Sequence, residues 1–226
     1  QGSGAASPSE RYSRLDWKSE GEGDKKVRYV EGVLRRWNEP GPAFDMNYTK
    51  TWRGWVDASL DAAQLDEPLE KSLEGVKGEN EELYKQLMAQ KGELTTREFG
   101  RQISSMVVLD YMLNNRDRFR ERQTYNGVDN QLVDGQIVSY DHTSALDSRL
   151  SSRVKGRLSW VTRLSKSQVE SIRNLDKEKA DAVLFPKEAD VSSSDQRAFW
   201  SRHGKLVDEI EKREQRYGKE NALAFE

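Results

Sequence analysis

The chain has 226 residues, 35% hydrophobic and 34% charged, which is enough for one globular domain with a sizeable core and some further sequence. Its 37 basic and 39 acidic side chains are spread along the whole length and leave a formal net charge of −2, so no basic block is available for nucleic acid or an anionic membrane surface. Cysteine is absent, which excludes a disulfide framework, a thiolate nucleophile and a Cys-ligated zinc site, and the longest apolar runs, such as residues 106–109, are far short of the roughly 20 residues that span a bilayer.

Residues 1–10 do not have the form of a signal or transit peptide, and the missing initiator Met reads as a processed, truncated or tagged start. Residues 1–26 are rich in Gly, Ser, Glu and Lys. With few apolar anchors they cannot offset the entropy of ordering a chain, and they read as a tail that is disordered or ordered by a partner. Val27, Val30, Leu34 and Trp37 recur at helical spacing and predict a first helix, which Asn38-Glu39-Pro40-Gly41-Pro42 stops. Residues 44–60 hold Tyr48, Trp52, Trp55 and Val56, with Gly54 between the tryptophans, in a pattern that fits strand or loop. The tryptophans can stack an adenine or dock a partner, but core packing is the commoner fate of such residues. In residues 65–90, Leu69 with Leu73 and Leu83 with Leu87 are spaced by four and separated by Gly75 and Gly78, which predicts two surface helices with a solvated charged face.

Thr95 and Glu98 form a Thr-x-x-Glu capping box, followed on one face by Phe99, Ile103, Met106 and Val107. Further on, Val108, Leu109, Tyr111, Met112 and Leu113 make this helix apolar all round, as expected of a helix buried in the centre of a domain. Leu132-Val133 and Ile137-Val138 flank Asp134-Gly135, whose tolerance of positive φ predicts a two-residue hairpin turn. Beyond it, Ser165 with Gln168 and Ser193 with Gln196 give two more capping boxes. The first opens a helix carrying Val169 and Ile172, with Leu175, Val183 and Leu184 beyond, that ends before Pro186. The second opens one carrying Phe199, Leu206 and Ile210 that ends near Gly218.

The polar turn Asn114-Asn115-Arg116-Asp117-Arg118 lies between the buried helix and the hairpin, and the second hairpin strand delivers Tyr140-Asp141-His142. Two carboxylates 24 residues apart (141 − 117) can thus converge at one end of the hairpin. Phosphoryl transfer uses such a pair: one carboxylate orients and accepts the proton of the attacking hydroxyl, and the other holds the cation that bridges the nucleotide phosphates. A helix C-terminal turn, with Arg118 offsetting the dipole and Asp117 capping the next segment, is the plain alternative. His142 and His203 are the only histidines, and His203 sits at helical spacing between Phe199 and Leu206, which argues against a His-based zinc site. Ser144 beside His142 does not make a triad, since sequence neighbours seldom have the required geometry.

The order of buried helix, Leu109-Asp110-Tyr111-Met112-Leu113-Asn114-Asn115-Arg116-Asp117-Arg118, hairpin and Val138-Ser139-Tyr140-Asp141 resembles the atypical protein kinases of the secretory-pathway casein kinase and actin-fragmin kinase group and, more distantly, the phosphatidylinositol kinases. The resemblance covers about residues 99–217 and implies a degenerate or truncated member of that group. It implies an α+β, mostly helical fold like a kinase C-terminal lobe with a small β-hairpin at the site, ATP with Mg²⁺ or Mn²⁺, and a protein Ser/Thr hydroxyl as acceptor. On that resemblance Asp117 matches the catalytic base, Asp141 the metal ligand, and Arg118 the basic residue that holds the loop or a phosphate. Phe119 stands where most of these families have His, and Arg122 stands where common kinases carry a second metal-binding Asn, with Asn126 or Asn130 as substitutes. Glu31 matches the small-lobe helix Glu, for which Lys25 and Lys26 are poor partners, and no Gly-rich loop precedes it.

The expected organisation is a tail over 1–26, a small-lobe remnant and hinge-like segment over 27–93, the large lobe over 94–218 and a tail over 219–226. A second class of answer is a catalytically inactive kinase-fold scaffold or linker protein within a larger complex. Gly92-Glu93-Leu94-Thr95-Thr96-Arg97-Glu98-Phe99 is similar to the Gly-x-Ile-x-x-Arg-Glu-Phe helix start of light-harvesting linker proteins. Partners are accordingly a protein substrate or the members of a protein complex, with no nucleic acid and no membrane insertion.

Overall fold

The computed structural model describes residues 18–20, 27–29, 53–60, 62–73, 77–78, 81–89, 95–116, 130–133, 135–139, 145–186 and 191–226. The chain divides into two compact units, Gln1–Glu39 and Pro40–Glu226. In the first, β1 (Lys18–Glu20) pairs antiparallel with β2 (Val27–Tyr29), Lys18 opposite Tyr29 and Glu20 opposite Val27. Part of the expected tail is therefore a strand, and the expected first helix begins as one. Val27, Tyr29 and Val30 are strand formers, and over so short a stretch their alternation with Arg28 fits a period of two as well as the helical period that was read across 27–37.

The chain is mostly helical, with 69% of described residues in helix. In the second unit a 3-10 turn (Ala62–Asp66) and α1 (Leu69–Ser72) lead to α2 (Glu81–Ala89) and then α3 (Thr96–Leu113). The hairpin of β3 (Asn130–Val133) and β4 (Gln136–Ser139) follows, and then α4 (Ser152–Trp160), α5 (Lys166–Arg173), α6 (Lys177–Leu184), α7 (Ser193–Tyr217) and α8 (Lys219–Ala222). Among the described residues, no sheet exceeds two strands and no helix is long and apolar enough to cross a membrane.

α3 is the centre of the unit and packs against the 3-10 turn, α4 and α7. Its capping box forms: the Thr95 side chain accepts from the Glu98 amide at 3.1 Å, satisfying one of the free amides of the first turn. Phe99, Ile103, Val107, Val108, Tyr111 and Met112 bury one broad face, and Trp55 meets Phe99 edge-on at 5.2 Å between ring centroids, a core role for that tryptophan. The helix is not buried all round, because Leu109 is 44% exposed and Met106 and Leu113 are only partly covered. Three consecutive apolar residues cannot all face one side at a period of 3.6, so a run such as 107–109 must turn one member away from neighbours on the other. Helices form at Leu69–Ser72 and Glu81–Ala89 within the stretch read as two surface helices, and Leu65, Leu69, Leu73 and Leu87 are buried, the inner face that an amphipathic surface helix turns to the core.

In the C-terminal third, the stretch read as one helix from Ser165 is two. Asp176 accepts from the Lys179 amide at 3.0 Å and starts α6 anew. The Ser165 cap forms, accepting from Gln168, whereas the cap of the long helix is Ser192, one residue earlier than Ser193, accepting from Asp195. Sequence alone could not separate them, since Ser192, Ser193 and Ser194 are chemically identical caps. α7 ends at Gly218, whose φ of 81° favours glycine. Residues 219–226, expected as a tail, fold back into the core: Ala222, Leu223 and Phe225 are buried, and main-chain bonds join Leu164 to Ala222 and Lys166 to Phe225, each at 2.7 Å.

Candidate functional site

Asp117, Arg118, Asn126 and Asp141, together with Glu31 and His142, lie outside the described residues. Asn130 opens β3, paired with Ser139. What the structure does describe is the frame from which the 117–144 segment leaves and to which it returns.

That frame is built at the C-terminal end of α3. Asn114 adopts a left-handed conformation, φ 55°, which Asn tolerates better than other side-chain-bearing residues. The reversal points its amide toward the returning chain. Nδ2 donates to the carbonyls of Asp147 (3.0 Å) and Arg149 (2.9 Å), and Oδ1 accepts from the Ser151 amide (2.9 Å), all on a side chain that is 1% exposed. Beside it the Leu146 amide donates to the Leu113 carbonyl at 2.6 Å, and the Asn115 amide closes back on Asp110 at 2.8 Å. Leu146 itself sits at φ 70°, a strained conformation for a γ-branched side chain, which persists only where surrounding contacts enforce it. Here those contacts are the Leu113 bond and the packing of Leu146 against the core. An exposed ion pair of Arg116 with Asp147 at 3.9 Å adds a weak further tie.

The hairpin is fixed separately, nearer the start of α3. Its register, Val133 opposite Gln136, leaves the expected two-residue turn at 134–135, with Gly135 at φ 71°. The buried Gln102 amide reads this turn in both directions: Nε2 donates to the Gly135 carbonyl at 2.8 Å, and Oε1 accepts from the Ile137 amide at 2.7 Å. Glu98 hydrogen-bonds to Gln136 as well as to Arg101, and the Arg101 guanidinium holds its carboxyl below the usual carboxylate range. The hairpin thus lies along α3, its turn beside the first half of the helix.

A buried arginine from a later helix completes the frame. Arg202 on α7 is 3% exposed, and its Nε donates to the Met112 carbonyl (2.9 Å) while Nη1 donates to that of Asp147 (3.1 Å). Burial pulls its pKa below the usual arginine value, opposed by the nearby Tyr111, Asp147 and Asp195. Burial also pushes the Tyr111 hydroxyl up. Asn114 was legible as part of a polar turn, and a helix-ending Asn is a known signal for a left-handed cap. Gln102, Leu146 and Arg202 were not found, since nothing local marks a residue whose partners lie 33 to 90 positions away. Among the described residues, no group of three or more His, Asp or Glu side chains converges on a cation position.

Comparisons with protein-family models, curated proteins and solved structures returned no match.

Proposed function

We propose that the 117–144 segment carries ATP-dependent phosphoryl transfer to a protein Ser/Thr hydroxyl. Asp117 orients the acceptor hydroxyl and takes its proton as the oxygen bonds to the γ-phosphorus and the bond to the leaving ADP oxygen breaks. Arg118 steadies the loop or a phosphate. Asp141 supplies the hard carboxylate oxygen that suits Mg²⁺ or Mn²⁺, with Asn126 or Asn130 as a second donor, and Glu31 belongs to the small-lobe side of the same reading. A bound divalent cation would neutralise charge on the phosphates. The observation that supports this reading most is the junction. The Leu146 amide bonds to Leu113, and Asn114 bonds to Asp147 and Arg149, so the chain leaves for the segment bearing both acidic residues and returns from it at one place. A mostly helical unit with a central helix, a docked hairpin and later helices packed around it accords with the kinase-like lobe that the sequence resembles.

A titration of the full chain with ATP and Mg²⁺ tests the reading. The expected result is metal-dependent binding that Asp141→Ala abolishes while the helical circular dichroism stays unchanged. Binding that survives Asp141→Ala removes that residue from the site. A folded chain that binds no nucleotide favours the second reading, a kinase-fold scaffold, to which the half-exposed Leu109 between Met106 and Leu113 on α3 offers an apolar contact for a protein partner.

A further inference from the structure

The charges that balance over the whole chain separate along one part of the second unit. Residues 149–166 hold six Lys or Arg and no Asp or Glu, whereas residues 54–70 hold five Asp or Glu and no Lys or Arg. Burial takes Arg157 and Arg163 out of the basic block, so what reaches solvent is a small patch rather than a track for a nucleic-acid backbone. α4 turns Val154 and Leu158 to the core and Arg153 and Lys155 to solvent. Arg153 stands in the first turn, where the helix dipole favours an acidic side chain, so the helix itself gains nothing from that charge. Exposed lysines elsewhere find carboxylates, Lys71 with Glu67, Lys85 with Glu81 and Lys177 with Asp181. Among the described residues, Arg149, Arg153 and Lys155 form no ion pair.

The two blocks meet at an apolar centre. The Thr162 and Arg163 amides, just past α4, donate to the Val56 carbonyl at 3.0 and 2.9 Å, and Arg163 Nη2 donates to the Leu60 carbonyl at 2.7 Å. There the Arg53 guanidinium lies 4.1 Å from the centroid of the half-buried Trp160 ring, and Leu60, 42% exposed, lies against Gly54. Trp and Arg are among the residue types that dominate interface energetics, above all near the centre of an interface. Beyond Leu60 come the acids. Asp66 and Glu67 keep 64% and 45% of their side chains exposed, since their pairs with Arg97 and Lys71 are surface pairs of the kind that contribute little.

We propose that this surface pairs with a second copy of itself as a closed two-fold dimer, with Leu60 and Trp160 at the centre and the α4 cations of each copy against the 66–70 acids of the other. A partner of a single charge sign would match one half of the surface and be repelled by the other. Rotation by half a turn about the apolar centre matches both halves at once. Such pairing needs neither nucleotide nor the 117–144 segment.

Sedimentation velocity of the full-length chain, over a concentration series at low and high salt, tests the pairing. The wild type should pass reversibly from monomer to dimer as its concentration rises to about 100 µM, and salt should weaken the dimer by screening the flanking charges. Arg153→Glu with Lys155→Glu, and separately Glu67→Lys with Glu70→Lys, should each raise the dissociation constant by about tenfold or more while helical circular dichroism stays unchanged. An equal mixture of these two variants should recover the dimer as a heterodimer, because both contacts are again of opposite sign. Lys179→Glu with Lys205→Glu, an equal change of charge on α6 and α7 outside both blocks, should leave the dimer as it is. A wild type that stays monomeric throughout, a dimer that both reversals leave intact, or a mixture that fails to recover it overturns the pairing. A monomer that instead binds a poly-glutamate peptide or a single-stranded oligonucleotide through Arg153 and Lys155 overturns it as well and gives the α4 face to an acidic partner.

Discussion

Gly100 and Phe225 provide a sharp quantitative test of how the second unit closes. The Phe225 ring is fully buried, and it lies against Gly100 on the central helix so tightly that a Cβ at position 100 would meet the ring Cζ at 3.0 Å and Cε1 at 3.3 Å. Removing the ring by Phe225→Ala should cost about 3 to 5 kcal/mol, the usual range for a buried Phe. Gly100→Ala brings two opposed effects. Helix propensity favours Ala by about 1 kcal/mol, and overpacking against the ring costs about 1 to 3 kcal/mol, so the net should be destabilising by about 0 to 2 kcal/mol. In the Phe225→Ala background the clash disappears and the new methyl partly fills the vacated space. The carbonyl of Trp55, at 3.3 Å, still crowds it. Gly100→Ala should then be neutral or stabilising, giving a coupling energy of about 1 to 3 kcal/mol. Chemical unfolding of the four proteins, followed by helical circular dichroism with linear extrapolation, measures all the terms. Effects that add within about 0.5 kcal/mol would refute the packing of the C-terminal residues onto α3.

Along α3, Ile103→Ala at a buried position should cost about 2 to 5 kcal/mol and Leu109→Ala less than about 1 kcal/mol, so equal losses in thermal or chemical unfolding would contradict the orientation of the helix. Gln102→Leu leaves the Gly135 carbonyl and the Ile137 amide without their partner and should destabilise by about 1 to 3 kcal/mol, with the hairpin amides exchanging faster than those of α7; uniform exchange would show that the hairpin is not held by this side chain. Glu98 has a folded-state pKa below its unfolded one, through Arg101, so its contribution is present above about pH 4.3 and drains as pH falls through the lowered value. Glu98→Gln should therefore lose less stability than wild type between neutral and strongly acidic pH, by a small amount that salt reduces further; identical pH profiles would remove the Arg101 pair from the account.

Features carried by local chemistry were legible in the sequence. The Thr95 and Ser165 caps, the Asp134-Gly135 turn and the Gly218 stop each depend on one or two adjacent residues, and each appears where the residues put it. Misreadings arose where two local rules competed. Val27–Tyr29 satisfied helix and strand periods alike, Ser192 and Ser193 were equivalent caps, and Leu109 was read as buried because apolar residues surround it in sequence. The fold-back of Phe225 and the reach of Arg202 were not legible, because each is decided by a partner distant along the chain: Gly100 and Leu164 for the first, Met112 and Asp147 for the second. Of the candidate site, the acidic pair and its order around a hairpin were read from sequence. The frame that joins the two ends, through Asn114 and Leu146, and the hold of Gln102 on the hairpin emerged only from three-dimensional structure.

The most direct measurement is transfer of labelled phosphate from ATP, with Mg²⁺ or Mn²⁺, to a mixed protein substrate by the wild-type chain and by Asp117→Asn. The account predicts transfer by the wild type, a fall of about 10² to 10⁴ in Asp117→Asn, and nucleotide affinity nearly unchanged between the two. A correctly folded wild type that transfers nothing, or an Asp117→Asn chain as active as the wild type, would contradict it.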